Sequence, residues 1–140
     1  MDGVISTLRA FNAQRGKPIP DRWIDAEAVA NLNILCQRSG AVVVISSSWR
    51  TGRSAVSFLA MLRRNGFTGE MHDDWRTVSL PMMRGDEVDE WMKRHPEIAS
   101  HVILDDDADF HPGQPLVLTA FENGLSAQHV LLAMEFLANV

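Results

Sequence analysis

The stretch HVILDDDADF, residues 101–110, decides the fold class of this 140-residue chain. An unbroken apolar run, residues 102–104, stops at three consecutive carboxylates, residues 105–107. Such a run is typical of a parallel strand buried on both faces, and the acids then stand at the edge of the sheet. Adjacent acids repel one another unless a cation or several donors offset their charge. The stretch therefore predicts either a site for a hard cation such as Mg²⁺ or a solvated acidic turn.

A second apolar run, residues 41–45, is β-branched, too short for a helix, and followed by the hydroxyls of residues 46–48. Two further strands are predicted over residues 69–72 and 116–119. Helices are predicted over residues 26–38, 54–65, 86–94 and 126–139, so that helices and strands largely alternate along the chain. This alternation predicts an α/β fold, a three-layer, doubly wound and mostly parallel sheet with helices on both faces.

Breakers and caps set the boundaries of these elements. Gly16, Pro18 and Pro20 interrupt residues 6–23, which we predict to be a loop or a small flap. Asp25 is predicted to cap the first helix, and Gly40 to follow its end.

Composition limits the classes of function. The length fits a single domain over residues 1–140, and the net charge of −5 argues against a broad nucleic-acid footprint. Contact with a single phosphate or a strand end remains open. The one cysteine, Cys36, cannot form an intramolecular disulfide and is predicted to be a small core residue of a cytoplasmic protein. No signal peptide or membrane span is predicted.

Four separated features are predicted to converge, because ligands of doubly wound sheets bind outside the carboxyl ends of the strands. These features are the DGV segment at residues 2–4, Ser46, Arg84, and the Asp105-Asp106 pair. The combination resembles the haloacid dehalogenase (HAD) superfamily of phosphoryl-transfer enzymes. The segments ISSSWR, RGDEV, LDDD and NGLS are most similar to those of the small phosphatase-like domains of RNA-repair proteins.

The resemblance implies a role for each feature. Asp2 would be the general acid/base, and Arg84 the cation that neutralises phosphoryl oxygens. Ser46 would donate a hydrogen bond to the phosphoryl group, with Ser47 as the alternative.

The acidic triplet would hold the metal. Asp105 would be a Mg²⁺ ligand, and Asp106 or Asp109 would be a second ligand or would orient a water.

The chain departs from the family pattern at its start. The family motif reads Asp-x-Asp-Gly after a central strand, so the nucleophilic aspartate would fall one residue before Met1. The central first strand, which lies between the strands ending at Ser46 and Asp105, is also largely missing. Two facing sheet edges are therefore expected to be open, which favours dimerisation. Three interpretations would account for this departure from the family pattern. The start of the protein is misassigned, or the first strand is supplied by a tag or by another chain, or the protein is a decayed, non-catalytic homologue. We favour the first interpretation.

The resemblance implies a magnesium-dependent phosphomonoesterase-type hydrolase, inactive or weak in this form. The alternative is a non-catalytic domain that binds a phosphorylated ligand or has a regulatory role. A receiver-like signalling domain ranks lower, because the acids follow a late strand and no lysine follows. Residues 5–25 and 68–83 are too short for a large cap domain, so an open site would admit a phosphorylated polynucleotide end.

Several other side chains allow two interpretations. Arg50 and Arg53 would either meet substrate phosphates or lie in a solvated helix start. His111 is predicted to be an exposed turn residue. The tryptophans are predicted to pack rather than to stack on bases; they are Trp23, Trp49, Trp75 and Trp91.

Overall fold

Helices and strands alternate from residue 26 to residue 105 in the computed structural model, which describes residues 1–18, 21 and 23–138, and a further strand and a helix follow. The elements in chain order are α1 (Leu8–Gln14), α2 (Ala26–Ser39), β1 (Val43–Ile45), α3 (Ala55–Arg64), β2 (Met71–Arg76), α4 (Arg84–Arg94), β3 (Ile103–Asp105), β4 (Leu116–Leu118) and α5 (Ala127–Ala138). A single 3₁₀ turn, Ser48–Arg50, follows β1. The predicted α/β class is therefore confirmed. No helix in the described ranges is long and apolar enough to cross a membrane.

The four strands form two parallel pairs instead of one continuous sheet. β1 pairs with β2, and β3 pairs with β4 in regular register from Ile103 opposite Leu116 to Asp105 opposite Leu118. The β1–β2 register is irregular, because the step from Val43 to Ile45 spans Met71 to Arg76. No strand of the described residues joins the pairs, so a three-layer sheet remains a prediction.

Local sequence explains the best-predicted helix, α2. The Asp25 carboxylate accepts the N–H groups of Glu27 and Ala28, as expected of an N-cap. Gly40 follows the helix in the left-handed conformation, with φ of +73°, and donates its N–H to the Cys36 carbonyl. Both predicted boundaries of this helix are confirmed.

Several predicted element bounds were wrong. Residues 8–14, which were predicted to be part of a loop, form α1, and Thr7 caps this helix. The breakers Gly16 and Pro18 lie beyond its end, and Pro20 lies outside the described residues. β2 extends to Arg76, and α4 begins at Arg84, two residues earlier than predicted. The predicted last residue of α5, Asn139, also lies outside the described residues.

The core lies against both faces of the β3–β4 pair. Ile103 and Leu116 pack with Val88 and Phe110 in a small cluster on the α4 side. Val117, which follows Leu116 in β4, packs instead in the larger hydrophobic cluster of the protein. Its other buried members come mostly from α2, α3 and α5, and they include Val29, Leu35, Cys36, Phe58, Met61, Leu62, Val130 and Ala133. Alternate residues of these strands therefore pack in opposite directions, as expected of a strand buried on both faces.

Asp25 also ties α1 to α2. Its buried carboxylate accepts the Thr7 hydroxyl at 2.7 Å and Arg9 Nε at 2.8 Å. Burial alone would raise the pKa of Asp25, but the hydrogen bonds from Arg9 and Thr7 outweigh burial and lower it.

We expect this carboxylate to make folding acid-sensitive. A folded pKa below the unfolded value of about 3.9 contributes stability above that pH, and the contribution is lost as the pH falls through the folded pKa. Urea unfolding between pH 6 and pH 3 should show a smaller loss of stability in Asp25→Asn than in the parent. The exposed Asp73→Asn change is the control and should leave the loss unchanged. Equal pH dependence in the parent and Asp25→Asn would contradict this role.

Candidate active site

The DGV segment forms a tight turn at the start of the chain. The Met1 carbonyl accepts the N–H groups of residues 4–6, and the Thr119 hydroxyl donates to the Gly3 carbonyl at 2.5 Å. Gly3 has φ of +74°, and a Cβ there would lie 2.3 Å from the carboxyl carbon of Asp106. Glycine is therefore required at this position. The turn therefore packs against Asp106, directly after the carboxyl end of β3.

Arg84 and Asp105 meet at this same edge. Arg84 Nη1 donates to Asp105 Oδ2 at 2.6 Å, and the other carboxylate oxygen accepts the N–H of Asp107 at 2.9 Å. Asp105 is buried, whereas the Arg84 side chain is 30% exposed. The guanidinium is thus anchored on the carboxylate while part of it faces solvent. A charge-assisted contact of this kind fixes the direction in which the remaining donors point.

The Met1 ammonium lies near Arg84, Asp105 and Asp106, the three side chains that form the site cluster. Burial lowers the pKa of the ammonium, while the nearby carboxylates of Asp105 and Asp2 act in the opposite direction. Arg84 and Asp106 also act on it electrostatically. Burial and the neighbouring Asp105 raise the pKa of Asp106. The structure therefore brings together three of the predicted site residues, Arg84, Asp105 and Asp106.

The two candidate serines differ in their partners. Ser47 Oγ accepts the N–H of Trp49 at 3.3 Å and so caps the 3₁₀ turn after β1. Ser46 and Ser47 both line a cavity together with Met1 and Asp105. The capping bond uses Ser47 Oγ only as an acceptor, so both hydroxyls remain candidate donors to a ligand.

Arg50 does not lie in a solvated helix start, so that interpretation was wrong; its contact with substrate phosphates stays a prediction, because Arg50 lines a polar cavity together with Arg84. Arg50 is buried, and its Nη2 lies 3.2 Å from Glu87 Oε2 while its Nη1 donates to the Ser46 carbonyl. Glu87 Oε1 in turn accepts the N–H of Leu80 at 2.9 Å. This buried ion pair joins the end of β1 to the first turns of α4, and therefore links the element carrying Ser46 to the element carrying Arg84.

The two alternatives for a second metal ligand, Asp106 and Asp109, have different contacts. Asp109 Oδ2 accepts the N–H of Arg84 at 3.1 Å, and its carbonyl accepts the N–H of Gly85. Asp109 is thus engaged at the start of α4, whereas Asp106 stands against Gly3. Asp106 is the better candidate on this geometry, and its ligand role remains a prediction.

The remaining candidates have structural partners. His111 is partly exposed and pairs through Nε2 with Asp86 Oδ1 at 2.7 Å. The Arg53 guanidinium lies over the Phe58 ring, 5.7 Å from its centroid. Trp49, Trp75 and Trp91 are buried, which confirms their predicted packing role. Trp23 packs edge-on against Phe11.

Two cavities adjoin the cluster. The smaller, of about 240 Å³, is lined by polar groups that include Arg84, Ser48, Thr51 and Ser79. The larger, of about 460 Å³, lies between β1 and β3. Thr77 lines the larger cavity, and its buried hydroxyl has no hydrogen-bond partner in the described part of the chain. Sequence reasoning missed Thr77 because it predicted a loop there, although a hydroxyl directly after a strand was an available signal.

A second group of possible metal ligands lies at the start of β2. His72, His95 and Glu97 each offer a ligand atom, all within 4.8 Å of one another. His95 already bridges two carboxylates, with Nε2 2.8 Å from Asp74 and Nδ1 3.0 Å from Glu97, and these bonds raise its pKa. Nitrogen-rich ligands suit zinc better than magnesium. The group is therefore distinct from the oxygen cluster around Asp105.

Comparison with known proteins identifies the domain. A family model described as the HAD domain in Swiss Army Knife RNA repair proteins matches residues 1–130. No curated protein and no solved structure matches the chain. The matched range contains the DGV turn, Ser46, Arg84 and the acidic triplet. The chain belongs to the family of HAD domains of Swiss Army Knife RNA repair proteins.

Proposed function

We propose that this protein is a magnesium-dependent phosphoryl-transfer hydrolase domain of the phosphomonoesterase type. The observation that carries the proposal is the 2.6 Å contact between Arg84 and Asp105, beside the DGV turn against which Asp106 packs.

The donor set fits a hard divalent cation. Asp105 and Asp106 offer carboxylate oxygens, the ligands that Mg²⁺ prefers, and partial burial together with the neighbouring Asp105 raises the pKa of Asp106. When bound, Mg²⁺ would neutralise the charge of a phosphoryl group and of the acids.

The chain's own residues would orient the substrate and move a proton. Arg84, anchored on Asp105, would bind phosphoryl oxygens with its remaining donors, and the Ser46 hydroxyl would donate another hydrogen bond. Asp2 is exposed at the turn, where it would give a proton to the leaving oxygen and accept one from water.

The substrate class follows from the shape and charge of the site. The polar cavity of about 240 Å³ has room for a phosphate ester, and the partly exposed Arg84 side chain lies in its wall. An open site accepts a phosphate on a bulky molecule, and the matched family is one of RNA repair. We therefore propose a phosphorylated polynucleotide end as the substrate.

Magnesium binding is the first test. Mg²⁺ should raise the free energy of unfolding, by about 2.7 kcal/mol when free Mg²⁺ is 100 times its Kd. Asp105→Asn should abolish this increase, whereas Asp107→Asn, at an exposed neighbouring acid, should retain it. Urea unfolding with and without Mg²⁺ measures both effects. Equal magnesium stabilisation in the two variants would contradict the assignment of Asp105.

The second candidate is a non-catalytic domain that binds a phosphorylated ligand, because Arg84, anchored on Asp105 and partly exposed, offers donors to a phosphate whether or not turnover follows. A 5′-phosphorylated oligonucleotide should then bind this chain without being hydrolysed, and Arg84→Ala should weaken the binding. Magnesium-stimulated release of phosphate by the parent, lost in Arg84→Ala, would instead support the hydrolase.

A further inference from the structure

A group of histidines and a carboxylate lies at the opposite end of α4 from Arg84. His95 directly follows the last residue of α4, and Glu97 comes two residues later. His72 is near the start of β2. Arg84 begins α4, and the eleven residues of this helix, at about 1.5 Å each, separate the two ends by roughly 15 Å. We call His72, His95 and Glu97 the histidine cluster.

Both ring nitrogens of His95 face carboxylate oxygens. Nε2 lies 2.8 Å from Asp74 Oδ2, and Nδ1 lies 3.0 Å from Glu97 Oε1. A neutral imidazole carries one N–H, so it donates to only one of these two acceptors. When Nε2 donates to Asp74, the lone pair of Nδ1 faces the Glu97 oxygen, and the two atoms attract each other only if a positive charge lies between them. That charge is either a second proton or a metal ion.

The surroundings of His95 fix the direction of Nδ1. Asp74 Oδ2 contacts both His95 and Arg94, so Asp74 is engaged as a positioning residue. A carboxylate on the far nitrogen of a metal-bound histidine sets its tautomer and makes it a better ligand. The Trp91 ring stacks on the His95 ring, with centroids 4.0 Å apart, and holds it from one face. His95 is therefore oriented as a ligand before any ion binds.

His72 supplies a second imidazole. Residues 72 and 74 share one face of β2, and the His72 ring lies edge-on to that of His95, with centroids 4.8 Å apart. His72 Nδ1 accepts the N–H of Asp74 at 2.9 Å. If this nitrogen bound an ion, the lost hydrogen bond would be a small cost beside the metal–nitrogen bond.

The spacing of the histidine cluster is close to that of a metal site. One ligand atom of each of its three residues lies within 4.8 Å of the other two. Ligand atoms around tetrahedral zinc are about 3.3 Å apart, so small side-chain rotations bring the three into place. The Glu97 side chain is 62% exposed, which gives an ion access from solvent and leaves room for water as a fourth ligand.

The ligand types specify the metal. Two imidazole nitrogens and one carboxylate oxygen are typical of zinc sites with three protein ligands. Magnesium prefers oxygen ligands alone, as offered by Asp105 and Asp106. The two groups of ligands should therefore select different ions.

We propose that the histidine cluster is a zinc-binding site, with His72, His95 and Glu97 as ligands and Asp74 as the residue that positions His95. The bound ion takes the place of the second proton between His95 and Glu97, and it ties the end of α4 to the start of β2. The site does not depend on the proposed phosphoryl-transfer function, because the two sites share no residue.

Isothermal titration calorimetry of the full chain with zinc chloride tests the site. The parent should bind zinc with one-to-one stoichiometry. Asp74→Asn should weaken the binding roughly 10–100-fold, and His95→Ala should weaken it further, because it removes a ligand and not only its support. His111→Gln is the matched control and should leave the affinity unchanged, since His111 pairs with a single carboxylate, Asp86.

A variant at an exposed ligand separates coordination from folding. Glu97→Gln should weaken zinc binding but leave the urea midpoint of the zinc-free protein unchanged, because this side chain is largely in solvent. Co²⁺ in place of zinc should show the strong visible absorption of a four-coordinate ion, and excess Mg²⁺ should not remove it.

Three outcomes would overturn the proposal. The first is a parent chain that does not bind zinc, which would leave the histidine cluster as a hydrogen-bonded group alone. The second is equal zinc affinity in the parent and Glu97→Gln. The third is zinc binding that is lost in Asp105→Asn and kept in His95→Ala, which would place the ion in the site cluster. None of these outcomes changes the magnesium test of Asp105.

Discussion

Replacing Glu87 with alanine is expected to lower the free energy of unfolding by about 3–5 kcal/mol, because it leaves the Arg50 charge buried without its partner. Both side chains are less than one-tenth exposed, and their contact is 3.2 Å long. The change also removes the acceptor for the Leu80 N–H. Urea unfolding of the parent and the variant, monitored by circular dichroism, measures the loss.

A double variant separates an unpaired charge from lost packing. Arg50→Met combined with Glu87→Leu removes both charges and retains much of the buried volume, so it should recover most of the stability lost in Glu87→Ala. If Glu87→Ala lowers the free energy of unfolding by less than about 1 kcal/mol, the Arg50–Glu87 pair is as weak as a solvent-exposed salt bridge, and the prediction is contradicted.

Gly124→Ala is expected to destabilise the protein by about 2–4 kcal/mol. Gly124 has φ of +66°, where alanine costs roughly 1–2 kcal/mol. A Cβ would also lie 2.4 Å from the Val4 carbonyl oxygen, which accepts the N–H of Leu125 at 2.8 Å. Relieving this clash would move the backbone next to the DGV turn and weaken that hydrogen bond. Thermal or urea unfolding measures the effect.

Gly113→Ala is the matched control. Gly113 has φ of +88°, but no atom lies within 4 Å of the added Cβ. This variant should show the conformational cost alone, so Gly124→Ala should exceed it by about 1–2 kcal/mol. Similar losses in the two variants would mean that the Val4 carbonyl moves aside freely.

The sequence predicted the elements whose signals are local. The α2 boundaries follow from Asp25 and Gly40, and the strand ends follow from apolar runs that stop at polar residues. α1 was missed because three breakers within residues 6–23 concealed a seven-residue helix that ends before them. Strand pairing could not be predicted residue by residue, since it depends on partners distant in sequence.

Some residues of the candidate site could likewise be predicted from the sequence, and others could not. Asp105 and Arg84 were predicted from motif order, and the structure places them in direct contact. The role of Arg50 could not be predicted, because burial beside Glu87 depends on how α4 approaches the end of β1. Sequence reasoning likewise could not separate Asp106 from Asp109, which differ in their contacts with Gly3 and with the start of α4.

The irregular register of β2 affects how the protein meets other copies of itself. Between the partners of Val43 and Ile45, β2 carries extra residues that interrupt a straight ladder. A bulged outer strand is a poor template for cross-β growth, and the charged residues Asp73, Asp74 and Arg76 further discourage it. We therefore expect fibril formation to be suppressed at the β2 margin.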